Sequence, residues 1–92
     1  MSEKLVELAA QLRSLDESYV MGGVAKQHIV VRVGEGDDVV IEANTAGLVH
    51  LASELLRLAK ATSGSHYHLD EAGMADSADP AVVFSYNKAS WD

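Results

Sequence analysis

The chain has 92 residues, 14 acidic and 7 basic, for a formal net charge of −7, and it contains no cysteine. One domain with one modest two-layer core fits that length, and the hydrophobic content of 48% argues against disorder. The charge opposes binding to nucleic acid or an anionic membrane; the missing cysteine excludes disulfides, thiolate metal sites and thiol nucleophiles.

Residues 2–17 predict a first helix. Leu5, Leu8, Leu12 and Leu15 recur at steps of three and four, with Val6 and Ala9 beside them. This is a narrow stripe, about the width of a coiled-coil seam but only two heptads long. It has two readings, packing on its own domain or on a second copy. Ser2 suits the cap and Glu3 the first turn. Residues 18–26 hold Gly22-Gly23 and predict a loop, with room for a short strand at 19–21.

Gln27 to Val33 predicts a strand, with Ile29, Val31 and Val33 on one side and His28, Val30 and Arg32 on the other. Gly34-Glu35-Gly36-Asp37-Asp38 predicts a turn, and Val39 to Ala43 the returning strand of a hairpin. From Asn44 to about Ala61 the pattern is helical. Leu48, Leu51, Leu55 and Leu58 form one apolar row, and Val49, Ala52, Leu56 and Ala59 the next. His50, Ser53, Glu54, Arg57 and Lys60 fall opposite, with His50 read as a solvated partner of Glu54. Asn44 or Thr45 caps the start, and Gly64 marks the stop.

Ser65-His66-Tyr67-His68-Leu69-Asp70 predicts a strand. Alternation sends Tyr67 and Leu69 one way and His66, His68 and Asp70 the other. Residues 71–80 read as a loop closed by Pro80, and Ala81 to Asn87 as a last strand with Val82, Phe84 and Tyr86 inward. Trp91 sits in the tail, either folded onto its own surface or anchoring a partner. The expected fold is a single α+β domain over 1–92, a two-layer sandwich of order α-β-β-α-β-β. Its core, residues 27–87, is one four-stranded, mainly antiparallel sheet with helices on one face.

The outward sheet face gathers His28, Arg32, Glu42, His66, His68 and Asp70 with Val30, Val40 and Val83. That mixture suits a binding or dimer surface better than a plain solvated one. The sharpest chemical reading is a metal site. His66 and His68 would stand about 6–7 Å apart along a strand, and with Asp70 they suit zinc, completed by Glu42 or His28. The competing reading is a pair of surface or interface histidines. A hydrolase would need a serine beside a base; Ser63, Ser65 and Ser85 lie in no G-x-S-x-G elbow. Gly34-Glu35-Gly36 is no phosphate loop, because the lysine and helix start are missing. The carboxylates Asp70, Glu71, Asp76 and Asp79 do not follow calcium-loop spacing. They form either a solvated loop or an acidic lobe for a basic partner.

Residues 39–86 resemble a small bacterial family, immunity protein 32 of polymorphic toxin systems. The matching residues are Ile41-Glu42-Ala43, Gly47-Leu48, Leu51-Ala52, Leu55, Leu58 and His66-x-His68-Leu69-Asp70, followed by the apolar Val82, Val83 and Phe84. The resemblance implies a non-catalytic protein that binds and neutralises a cognate toxin. An acidic inhibitor would suit a basic toxin, since charge raises the association rate. The first helix and the Trp91 tail lie outside the resemblance.

The expectation is therefore an acidic, cytoplasmic, homodimeric binding protein with no enzymatic activity, no cofactor, and no nucleic-acid or membrane partner. Its contact surface would use His66, His68, Asp70, Glu42, Glu71, Asp76 and Asp79. The alternatives are a zinc domain on His66, His68 and Asp70, and a structural dimerisation module. No apolar run approaches the roughly 18 residues of a membrane span, and no signal-like apolar core precedes a small-residue cleavage site.

Overall fold

A computed structural model describes residues 3–21, 26–62, 64–70 and 75–87. Its elements are α1 (Glu3–Met21), β1 (Ile29–Val33), β2 (Val39–Ala43), α2 (Thr45–Ala59), β3 (His66–Leu69), β4 (Ser77–Ala78) and β5 (Val82–Ser85). Expectations for Glu71 and Trp91 lie outside the described residues.

The first helix is longer than its leucine pattern suggests. It runs through the positions expected to open a loop or a short strand, 18–21, because no glycine or proline interrupts the chain before Gly22. It also buries a different stripe. Leu5, Ala9, Leu12, Asp16 and Tyr19 are buried or half-buried, and every other described side chain of α1 is exposed. Leu8 and Leu15 each remain 46% exposed.

β1 and β2 form the expected hairpin, in antiparallel register from Ile29↔Ala43 to Val33↔Val39. The tip is a 3-10 turn, Glu35–Asp37, in which Gly36 (φ 73°) and Asp37 (φ 65°) both adopt left-handed backbone. Glycine and aspartate carry that conformation at the least steric cost.

The single four-stranded sheet does not form. One sheet has the order β2-β1-β4, and β3 pairs with β5 in a second. The reason lies in the segment expected to be an unstructured loop. Asp76 donates its N–H to the Ile29 carbonyl at 2.7 Å, and Asp79 donates to Val31 at 3.1 Å. The Asp76 carboxylate accepts the Ile29 N–H at 3.1 Å. These bonds seat Ser77 and Ala78 parallel to Val30 and Val31. The second edge of β1 is then filled, and among the described residues β3 and β5 pair with each other alone. Their antiparallel register runs from His66↔Ser85 to Leu69↔Val82.

The core joins both sheets under α2. Ile29, Val31, Leu51, Leu69 and Ala75 are its buried members, with Ile41, Tyr67, Val82 and Phe84 packed around them. Alternation along β3 and β5 holds as expected. Leu69 is fully buried and Val83 is 53% exposed, while His66, His68 and Ser85 face outward.

Asn44 caps α2, its side-chain oxygen accepting from Gly47 N–H at 2.8 Å and from His28 N–H at 3.0 Å. Gly47 lets the helix sit close to β1: a Cβ there would lie 2.5 Å from the His28 carbonyl and 3.0 Å from Ile29. α1 then packs chiefly against α2. No described helix is long and apolar enough to cross a membrane.

Candidate functional site

The outward side of β3 carries His66 and His68. Strand alternation aims both imidazoles away from the core, and their rings meet edge to face with centroids 4.8 Å apart. His66 Nδ1 lies 3.3 Å from the Gly64 carbonyl. Asp70 follows the end of β3 and is half-buried, whereas the two histidines are exposed. Among the described residues, no three histidine or carboxylate side chains converge closely enough to hold a metal ion. The histidine pair supplies two ligands at most, short of the four that a closed zinc site takes.

Two of the carboxylates grouped by sequence, Glu42 and Asp76, have separate occupations. Glu42, exposed on β2, pairs with Arg32 across the hairpin. Asp76 is bonded to Ile29 N–H and stands 3.0 Å from His28 Nδ1. Its work is to fasten β4 to β1. Asp79 is exposed at the end of β4. His66 and His68 are thus brought together, while Glu42 and Asp76 belong to other pairings.

A second polar cluster was not foreseen. His50, read as a solvated helix residue, has only 12% of its side chain exposed, and its Nδ1 lies 3.0 Å from Asp16 Oδ2, itself 13% exposed. Asp16 Oδ1 accepts from buried Gln27 at 2.8 Å. Ser53 on the same side of α2 is also buried. The expected polar side of α2 is covered by α1, which corrects that reading. His50 Nε2 is buried without a hydrogen-bond partner among the described residues, and its ring approaches Tyr67 edge-on at 6.4 Å. Burial raises the Tyr67 phenol above its usual value, and the charge of Glu54 adds to the rise. One signal for this cluster was available. Leu5, Ala9, Leu12, Asp16 and Tyr19 recur at steps of four and three, a stripe hidden by its central carboxylate.

Among the described residues, grooves of two kinds border α1. A polar cleft of about 390 Å³ lies between the helices, lined by Arg13, Glu17, Glu54, Arg57 and Lys60 among others. Two of its cations are paired locally, Arg13 with Glu17 and Arg57 with Glu54. A shallower apolar groove of about 330 Å³ runs along Leu8, Leu12, Leu15 and Leu56.

Residues 38–86 match the family model described as Immunity protein 32. The match starts at β2 and takes in α2 and both strands of the second sheet, leaving α1 and β1 outside. No curated protein and no solved structure matches the chain.

Proposed function

Since the chain belongs to the Immunity protein 32 family, we propose that it is a non-catalytic binding protein that neutralises a cognate bacterial toxin by direct contact. The family match over 38–86 is the observation that carries this reading. The contact surface is the outward side of β3 and β5, with His66 and His68 at its centre and Asp70 and Asp79 supplying negative charge nearby; Glu42 of the other sheet, and Glu71, are further charges the partner would meet. Asp76 acts from beneath by holding β4 in place. The protein works in the cytoplasm as a homodimer.

A formal charge of −7 favours a basic toxin. Long-range attraction would speed the encounter, and added salt would slow it. A valine such as Val83 can be covered by a partner without desolvation cost, whereas the exposed imidazoles need hydrogen-bonding groups on the partner to offset theirs.

The test is co-expression of the chain with the toxin encoded beside it. Growth rescue and a co-purifying complex are expected. Replacing His66 and His68 together by alanine should weaken the complex by about 1–3 kcal/mol if the pair lies at a binding centre. A fully folded chain that neither rescues growth nor binds the toxin would sink the reading.

A further inference from the structure

α2 leaves one apolar row in solvent. Leu48, Ala52, Leu55 and Ala59 recur along it at steps of four and three. The helical turn sets Leu48 and Leu55 roughly opposite His50 and Ser53, the residues that face α1. Leu48 is 56% exposed and Leu55 40%. Toward the C-terminal end of the helix the row opens into a shallow groove of about 280 Å³, lined by Leu55, Leu58, Ala59 and Tyr86.

The wall of that groove is also where the chain leaves the described fold. Tyr86 donates its N–H to the Ser65 carbonyl at 2.9 Å, and its own carbonyl accepts from Gly64 N–H at 2.9 Å. It therefore sits beside the turn that follows α2. Alternation along β5 makes Val82, Phe84 and Tyr86 half-buried on the α2 side. Residues 88–92 come next and read Lys88-Ala89-Ser90-Trp91-Asp92, with the one tryptophan of the chain five positions past Tyr86.

We infer that Trp91 seats in this groove, against Leu55 and Ala59, and closes it to solvent. The length of the tether selects the landing point. β5 delivers the chain to the C-terminal end of α2, so the tail must reverse to cover the helix, and a reversal takes about four residues. That returns Trp91 over the last two turns of α2. Leu48 lies seven residues before Leu55, about 10 Å further along the axis, and stays uncovered. Tethering also sets how tight the contact must be. A segment held this close has an effective concentration on the order of millimolar, so a contact too weak to hold a free peptide still forms. The indole brings roughly 150–250 Å² of surface to bury. Lys88 passes the negative end of the α2 dipole, which favours a cation. A second copy or a foreign partner would have to displace a side chain that is already local, which is why the tail is the fitting occupant.

The groove lies on the α2 side of the sheets, away from the outward side of β3 and β5. Failure of this contact leaves the growth-rescue test untouched, and failure of rescue leaves the contact intact. As the one tryptophan of the chain, Trp91 reports on its own surroundings. The experiment is fluorescence of the full chain, excited beyond the tyrosine band, with acrylamide as quencher. Emission is expected to the blue of that in urea, with weaker quenching, at every protein concentration. Leu55→Lys should move emission to the red and raise quenching to the unfolded level. Leu48→Lys, on the same row but out of reach, should change neither. Far-UV circular dichroism checks that both variants are folded. Emission of the native chain as red and as quenchable as in urea would overturn the proposal. So would a blue emission that appears only as concentration rises, which would put the indole against a second copy, or one indifferent to Leu55→Lys. If that variant fails to fold, NOEs between the indole and the Leu55 methyls of the native chain decide: their presence supports the contact and their absence sinks it.

Discussion

α2 is buried on two sides by opposite chemistry. Toward the sheets it presents Gly47 and Leu51 to Ile29, Val31 and Leu69. Toward α1 it presents His50 and Ser53, and there the apolar stripe of Leu5, Ala9, Leu12 and Tyr19 is interrupted by one carboxylate shared by an imidazole and an amide. Apolar contact is tolerant of small shifts, because burial energy follows area and has no direction. A buried polar contact is not tolerant, since a group moved out of reach keeps its full desolvation cost. The sheet side therefore supplies most of the stability, and the α1 side sets where that helix sits.

Removing the core should show the larger effect. Leu69→Ala empties a fully buried site and should cost about 2–5 kcal/mol in urea denaturation, with loss of cooperativity across the whole chain. A cost below 1 kcal/mol would mean that the two sheets do not share one core.

Breaking the polar joint should cost less and act more locally. Asp16→Ala leaves His50 and Gln27 buried and unpaired, at about 1–3 kcal/mol. Amides of α1 should lose exchange protection before those of α2 and β1. Replacing Asp16 and His50 together by leucine should recover the imidazole's share of that loss but not Gln27's, because Gln27 still lacks its acceptor. If the double variant is as unstable as the single one, the joint is not what seats α1.

The smallest effect concerns Tyr67, half-buried beneath the same joint. Its proton is held more tightly in the folded chain than in the unfolded one, chiefly through burial. The folded chain then binds more protons in the interval above the ordinary tyrosine value of about 10. The stability linked to this group is complete below that value and is lost as pH rises through the raised one. Alkaline titration of stability should fall less steeply for Tyr67→Phe than for the native chain. Identical slopes would show that Tyr67 titrates as freely in the folded state as in the unfolded one.

Much of the sheet side could be read from residues alone. Period-two alternation placed Leu69 inside and His66 and His68 outside, and the first apolar row of α2 placed Leu51 and Leu58 inside, although Leu48 and Leu55 of the same row stay exposed. Asn44 was recognisable as a cap because its short side chain reaches the free amides of a first turn. What escaped depends on tertiary partners. Nothing in Ser77-Ala78 signals a strand; it becomes one because Asp76 fastens it to β1. Likewise His50 and Asp16 look like surface residues until the two helices are set together. Counting apolar residues favours leucine rows, so it took in Ala9 but set Leu8 and Leu15 at the centre of the stripe and passed over Asp16. The outward side of β3 was legible from alternation, but the split that puts Arg32 and Glu42 on one sheet and His66 and His68 on the other was not.

The bond from the Asp76 carboxylate to Ile29 N–H bears on how this protein will be surveyed. An alanine scan guided by charge would include Asp76 with the other acids and record a loss of binding there. The loss would arrive second-hand, through a loosened strand rather than a missing handshake with the partner. Scored without a melting curve beside it, that position would be mistaken for a hot spot, and the true footprint would be drawn one strand too wide.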